Sequence, residues 1–179
     1  QVKIGSASKR WQSAYELSKV FNNPDHIPKD IAFKNQMISA YNHSLHDDPL
    51  VRSYLAIAMG VTRDKFYGKI LTEGLSDEDR ESRLAAIQAV GMVGSPLALP
   101  KLKFLLKNSE FEDERLAITI ATGLIGDSSS IPILKELLND NEPNIRWDAA
   151  VALAKMQDTS SVKIINNLLD RKYLNSFPQ

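Results

Sequence analysis

The stretch that decides the fold is Arg83-Leu-Ala-Ala-Ile-Gln-Ala-Val-Gly91, because variants of it recur along the chain. The other copies are Arg10-Trp-Gln-Ser-Ala-Tyr-Glu-Leu-Ser18, Arg52-Ser-Tyr-Leu-Ala-Ile-Ala-Met-Gly60, Arg115-Leu-Ala-Ile-Thr-Ile-Ala-Thr-Gly123 and Arg146-Trp-Asp-Ala-Ala-Val-Ala-Leu-Ala154. The last four copies begin 31, 32 and 31 residues apart, and the first begins 42 residues before the second. Self-similarity at a fixed period of this size indicates a repeat array, with an insertion in its first repeat.

Each repeat has the pattern of two helices. Every copy begins with an arginine, which we call the repeat arginine. Small residues four, six and eight positions after it allow close approach of two helix backbones. Apolar residues then recur sixteen, nineteen, twenty-two and twenty-three positions after it, the spacing of one buried helical face. A corner lies between the two helices, as in Gly94-Ser95-Pro96 and Gly126-Asp127-Ser128. Glycine there ends the first helix, and aspartate or serine caps the second.

The composition excludes several classes of protein. The chain has 22 basic and 22 acidic side chains, so no net charge attracts nucleic acid or anionic lipid. It has no cysteine, which excludes disulfides and thiolate metal sites. No apolar run approaches the roughly 18 residues of a membrane-spanning helix. We predict a cytoplasmic location, although a chain that begins at Gln1 leaves open a targeting segment before it.

The repeat unit resembles bacterial HEAT-like repeats of the phycobilisome-lyase type. The matching residues include Asp48-Pro49-Leu50-Val51-Arg52 and Gly123-Leu-Ile-Gly-Asp127, and the resemblance is close over residues 47–170 and looser over 8–46. It implies an all-α fold, a right-handed α-α superhelix or HEAT-like solenoid of about five helix pairs. We predict one domain over residues 1–179, with repeats at 8–46, 47–76, 77–110, 111–141 and 142–174. The expected helices cover residues 8–22, 28–45, 49–61, 64–76, 79–93, 96–108, 112–125, 129–139, 143–156 and 160–173.

The resemblance specifies function weakly, because such repeats occur in scaffolds, chromophore lyases, a hydroxylase and regulatory domains. The sequence lacks the His-Glu pairs of the hydroxylase, a Gly-x-Ser-x-Gly motif and a glycine-rich phosphate loop. His43 and His46 are three residues apart, but a third metal ligand would have to come from elsewhere. We therefore predict no metal, no cofactor and no catalytic residues.

These observations favour a scaffold or regulatory domain that is not an enzyme. Its partner would be another protein, or an adjoining domain of the same protein, bound through the helical faces. One alternative is a lyase-like enzyme that handles a chromophore or cofactor. The other is nucleic-acid binding through Lys101, Lys103 and Lys107, which the balanced charge disfavours.

The five repeat arginines are predicted to be structural anchors, because a residue that recurs in every copy serves the repeat itself. We expect each to bond carboxylates or loop carbonyls between neighbouring repeats; the alternative is a ligand-binding role. The anchors are Arg10, Arg52, Arg83, Arg115 and Arg146.

A partner-binding site is predicted on the second helices, twenty-one positions after the repeat arginine. Three of the four residues at this position are polar, so the position should be exposed, and Phe104 stands among them with lysines around it. An exposed aromatic ring among lysines suits an acidic or amphipathic partner; the alternative is a ring folded between neighbouring helices. The predicted site residues are Glu73, Lys101, Lys103, Phe104, Lys107, Glu136 and Asn167.

A second apolar row lies on the first helices, two, five and nine positions after the repeat arginine, turned away from the small residues. We expect this row to be buried within the array, and the alternative is an interface. In the end repeats, polar side chains occupy two of these positions, which is typical of terminal caps. Residues 111–142 contain two basic and seven acidic side chains, so the fourth repeat is acidic. The row consists of Tyr54, Ile57, Val61, Ala85, Gln88, Met92, Ala117, Ile120 and Leu124, and the polar end residues are Gln12, Lys19, Asp148 and Lys155.

Overall fold

The computed structural model describes residues 7–46 and 48–177, which form a linear array of helix pairs without any β-strand. The prediction of an all-α solenoid is confirmed. The first helices of the five pairs are α1, α3, α5, α7 and α9, and the second helices are α2, α4, α6, α8 and α10. The α-helices are α1 (Ala7–Val20), α2 (Ile31–His43), α3 (Pro49–Val61), α4 (Gly68–Gly74), α5 (Arg80–Val93), α6 (Leu99–Asn108), α7 (Glu112–Ile125), α8 (Ile131–Leu137), α9 (Pro143–Lys155), α10 (Val162–Leu168) and α11 (Arg171–Leu174).

The second helices of repeats two to five begin later than the sequence pattern predicted. A 3-10 helix of three residues precedes each of them, and the α-helix starts only after it. Asp64, Asp127 and Asp158 each accept a hydrogen bond from the amide two residues further on, which closes a tight turn at the corner. Ser95 forms no such cap. A Cβ atom on Gly68 would lie 2.7 Å from the Ser95 hydroxyl, so this serine packs against the preceding repeat instead.

The last predicted helix, over residues 160–173, is wrong as a single element. α10 ends at Leu168 and α11 begins at Arg171, because the Asp170 carboxylate accepts a hydrogen bond from the Lys172 amide at 2.8 Å and starts a new helix. α2 likewise begins at Ile31 rather than at residue 28, since Asp30 caps it.

Small residues set the spacing between successive first helices. Each first helix packs directly on the next one, whereas α2, α4, α6 and α8 pack chiefly on the first helix of the following repeat. A Cβ atom on Gly91 would lie only 2.7 Å from the Ala121 Cα atom, so the two backbones are in contact there. The same backbone contact joins Gly60 to Ala89 at 2.8 Å, whereas a Cβ atom on Gly123 would lie 2.7 Å from the Cβ atom of Ala152. The layer of first helices is therefore the more closely spaced of the two layers.

The corner after each first helix of repeats two to five places one residue in the left-handed conformation. Glycine occupies this position twice, at Gly94 and Gly126, with φ of 66° in both. Arg63 and Gln157 occupy it in repeats two and five, with φ of 54° and 61°. A side chain makes this conformation unfavourable by about 1–2 kcal/mol, so the two corners without glycine are strained.

We expect Arg63→Gly and Gln157→Gly each to raise the free energy of unfolding by about 0.5 kcal/mol, because relief of this strain outweighs the greater freedom of glycine in the unfolded chain. Urea denaturation followed by circular dichroism measures the change. Gly94→Ala is the matched control and should lower stability. A loss of stability in both glycine variants would show that their corners are not strained.

Candidate functional site

Arg52 connects the segment before α3 to the loop between α4 and α5. Its Nε and Nη2 atoms donate to the two carboxylate oxygens of Asp77 at 2.7 and 3.0 Å, and Nη1 donates to the Ser44 carbonyl at 3.0 Å. The side chains of Arg52 and Asp77 are only 8% and 6% exposed. This bidentate ion pair inside the array supports a structural role for the repeat arginine.

Arg83, Arg115 and Arg146 lie at equivalent junctions. Arg83 donates from Nε to the Glu114 carboxylate at 2.6 Å and from Nη1 to the Asp77 carbonyl at 2.8 Å. Arg115 donates to the Asp140 carboxylate at 3.2 Å. Arg146 donates from Nη1 to the carbonyls of Asp140 and Asn141 at 2.7 and 2.8 Å. Arg10 lies half-buried on α1.

The predicted partner-binding residues occupy four second helices. Phe104 on α6 is 61% exposed, so its ring is not folded between neighbouring helices. Its counterparts on α4 and α8 are Glu73 and Glu136, so the apolar area does not continue along the array. Glu73, Lys103, Lys107 and Glu136 are exposed, and Lys101 and Asn167 are half-buried.

A larger apolar surface lies on the first helices. Ile120 and Leu124 on α7 are 43% and 52% exposed, and Met92 on α5 and Val151 on α9 are exposed beside them. We call these four residues the first-helix face. The expectation that the apolar row is buried is therefore wrong for Met92, Ile120 and Leu124, although it holds for Ala85, which is 7% exposed.

Repeat two differs because the preceding first helix, α1, packs aromatic rings against it. The Trp11 ring stacks on Tyr54 with centroids 6.3 Å apart, and the Tyr15 ring meets Tyr54 edge-on at 5.1 Å. Ile57 and Val61 are half-buried and pack against the core. The expectation of burial therefore holds for repeat two, where the insertion-bearing first repeat supplies aromatic rings.

Two grooves border Ile120 and Leu124. The first runs between α5 and α7, has a volume of about 230 Å³, and is walled by Gln88 and Met92 on the α5 side. The second runs between α7 and α9 and is smaller, at about 70 Å³. Its α9 side consists of Asp148, Val151, Ala152 and Lys155. Ile120 and Leu124 are one turn apart, so they form a ridge between the two grooves.

The carboxylates of the two grooves differ in their surroundings. Arg80 donates a hydrogen bond to Asp113, and this bond holds the pKa of Asp113 below its usual range. Asp148 is half-buried, and within the described residues its carboxylate has no hydrogen bond or ion pair. Burial raises the pKa of Asp148, and the more distant charge of Lys155 opposes this change. Asp148 is therefore a partly desolvated carboxylate without a partner.

We expect Asp148→Asn to raise the melting temperature slightly at pH 7, because the neutral amide has a smaller desolvation cost. A raised pKa means that the folded wild type binds more protons than the unfolded chain, so wild-type stability falls as pH rises through this pKa. The advantage of the asparagine variant over wild type should therefore grow from about pH 3 to pH 6. Melting curves across this range check it, and an advantage that shrinks with rising pH would contradict it.

The insertion in repeat one forms a separate cavity of about 480 Å³, lined in part by Ile27, Lys29 and Tyr67. Lys34 and Asp64 line it too, and they form an ion pair at 2.5 Å. Burial raises the pKa of Tyr67 to about 12. The charges of Lys34 and Asp64 thus compensate each other within the chain.

The described residues contain neither a metal-binding cluster nor a helix that could span a membrane. Residues 7–46 and 48–177 contain no group of three or more histidine or acidic side chains that could hold a metal. His43 is exposed, and the side chain of His46 lies outside the described residues. None of the described helices is both long and apolar enough to cross a membrane.

Stacked helix pairs, joined by repeated ion pairs and close glycine–alanine contacts, define an α-solenoid, the class of repeat protein in which each unit contacts only its neighbours. The family model described as HEAT repeats matches residues 38–121 and 101–173, and the chain belongs to this family. No curated protein matches the chain.

A solved structure with the same fold is the complex of CpcE and CpcF of phycocyanin lyase from Nostoc sp. PCC7120. The TM-score is 0.72 at 22% sequence identity, and the match covers 95% of this chain and 68% of that chain. This likeness corrects the prediction that the chain is not an enzyme. The prediction was wrong because it took a solenoid without familiar catalytic motifs as non-catalytic, and the same solenoid occurs in a lyase.

Proposed function

We propose that this HEAT-repeat chain binds another protein, or an adjoining domain of its own polypeptide, through the first-helix face, and that it does so in the cytoplasm. The exposure of Ile120 and Leu124 between two grooves is the observation that carries the proposal. Exposed apolar side chains that cluster on one surface of a folded protein often mark an interaction site. The similar structure from Nostoc is itself a complex of two chains, which also supports a protein partner. The predicted site around Phe104 stays a second candidate surface.

A retention assay compares the two surfaces. The immobilised chain is exposed to an extract of the organism that encodes it, beside Ile120→Lys/Leu124→Lys and beside Phe104→Lys as the matched control. We expect wild type and the Phe104 variant to retain the same protein and the double variant to lose at least nine-tenths of it, about 1.4 kcal/mol or more of binding free energy. Retention by the double variant with loss in the Phe104 variant would place the site on the second helices.

A second candidate function is a lyase-like role in handling a chromophore, which the likeness to the phycocyanin lyase complex favours. Such a role also requires contact with a protein substrate. The purified chain would be incubated with phycocyanin lacking its chromophore and with the free chromophore. Covalent attachment, followed by absorbance after denaturation, would support this role, and attachment no faster than without the chain would contradict it.

A further inference from the structure

The groove between α7 and α9 carries one charge of each sign. Asp148 lies at one end and Lys155 at the other, seven residues apart on α9, which is about 10 Å along a helix. Val151 lies between them, and Ile120 and Leu124 form the opposite wall. The groove therefore has an acidic end, an apolar middle and a basic end.

The acidic end of the groove lacks a hydrogen-bond donor or a cation that compensates Asp148 within the described residues. Asp113, in the neighbouring groove, has Arg80 as its partner. Asp148 has lost part of its hydration and accepts no hydrogen bond from the described residues. A desolvated carboxylate costs free energy unless a donor or a cation compensates it. The excess of acidic side chains in residues 111–142 also attracts a basic group to this part of the array.

We propose that this groove binds an amphipathic helix of the partner protein, and this inference rests on the proposed function. The helix places a basic side chain against Asp148, apolar side chains against Ile120 and Leu124, and an acidic side chain against Lys155. A helix fits because side chains one turn apart form a ridge, and such ridges pack into grooves between neighbouring helices. Two turns of the bound helix span the distance between the two charges of the groove.

The test uses two labelled synthetic peptides of about 18 residues. The first peptide forms an amphipathic helix with leucines between a lysine and a glutamate two turns apart; the second has glutamate in place of the lysine. Fluorescence anisotropy with the full chain should show that the first peptide binds about fivefold to tenfold more tightly than the second. Asp148→Asn should remove this preference, and Asp148→Lys should reverse it.

Glu110→Lys makes a comparable change of charge in an exposed loop outside both candidate surfaces and should leave the preference unchanged. Melting curves identify any variant that is not folded, and Asp148→Asn serves where Asp148→Lys fails to fold. The proposal is overturned if neither peptide binds, if both bind equally, or if the folded Asp148 variants keep the wild-type preference.

Sedimentation velocity adds a further outcome. If the wild type dimerises and Asp148→Lys dissociates the dimer, the occupant is a second copy of this chain, and the partner-helix proposal is overturned. Failure of the inference can be separated from failure of the proposed function. If the chain retains its partner through Ile120 and Leu124 but binds the two peptides without preference, the proposed function stands and the partner-helix proposal is overturned.

Discussion

Arg52→Ala should lower the free energy of unfolding by about 3–5 kcal/mol, because it leaves the carboxylate of Asp77 buried without its cation. The loss should exceed that of Arg115→Ala, whose single bond to Asp140 joins side chains that are 22% and 14% exposed. Denaturation in urea, with the two variants and wild type side by side, measures the difference.

A double variant separates the charge from the packing. Arg52→Met/Asp77→Asn removes both charges while the asparagine can still accept the hydrogen bond that the Asp79 amide donates to residue 77. We expect it to recover about half or more of the stability lost in Arg52→Ala, because no unpaired charge remains. Equal losses in the single and double variants would show that the ion pair does not account for the effect.

Gly91→Ala should lower the free energy of unfolding by about 1–3 kcal/mol, although alanine is normally the better helix former by about 1 kcal/mol. The new methyl group would lie 2.7 Å from the Ala121 Cα atom, and a backbone atom of a neighbouring helix cannot rotate away. α5 and α7 must therefore move apart, and both are anchored in the array on their other sides.

Ala154 is the natural control, because it occupies the position of Gly91 in the last repeat and is exposed. Ala154→Gly should lower stability by about 0.5–1 kcal/mol through helix propensity alone. A methyl group is thus expected to lower the free energy of unfolding at residue 91 and to raise it at residue 154. If Gly91→Ala instead raised the melting temperature, the close contact between α5 and α7 would not exist in solution.

The periodic features of the chain could be predicted from sequence because equivalent residues pack in the same way in each repeat. The paired helices and the junction arginines both follow from recurring columns of the repeat. The partner of Arg83 could not be predicted in this way. Asp77 and Asp140 lie twenty-five residues after their arginines, but Asn108 stands at that position after Arg83, and Glu114 supplies the carboxylate instead.

The candidate site was harder to predict because exposure depends on what covers each repeat. The same column of the first helices is half-buried at Ile57 and exposed at Ile120, and in the repeat of Ile57 two aromatic rings of α1 pack on Tyr54 of the same helix. Residue type alone does not reveal that cover. The sequence also did not indicate that Asp148 lacks a partner. A polar residue at this position of an end repeat is typical of a terminal cap, and that interpretation hid the unpaired carboxylate.

Site-specific photo-crosslinking tests the central claim that the first-helix face binds the partner. A benzophenone amino acid replaces Leu124 in one sample and Phe104 in another, and both chains are irradiated in cells of the organism that encodes them. We predict a cross-linked protein adduct from position 124 that is lost when Ile120→Lys is added, and none from position 104. An adduct from position 104 alone would contradict the account.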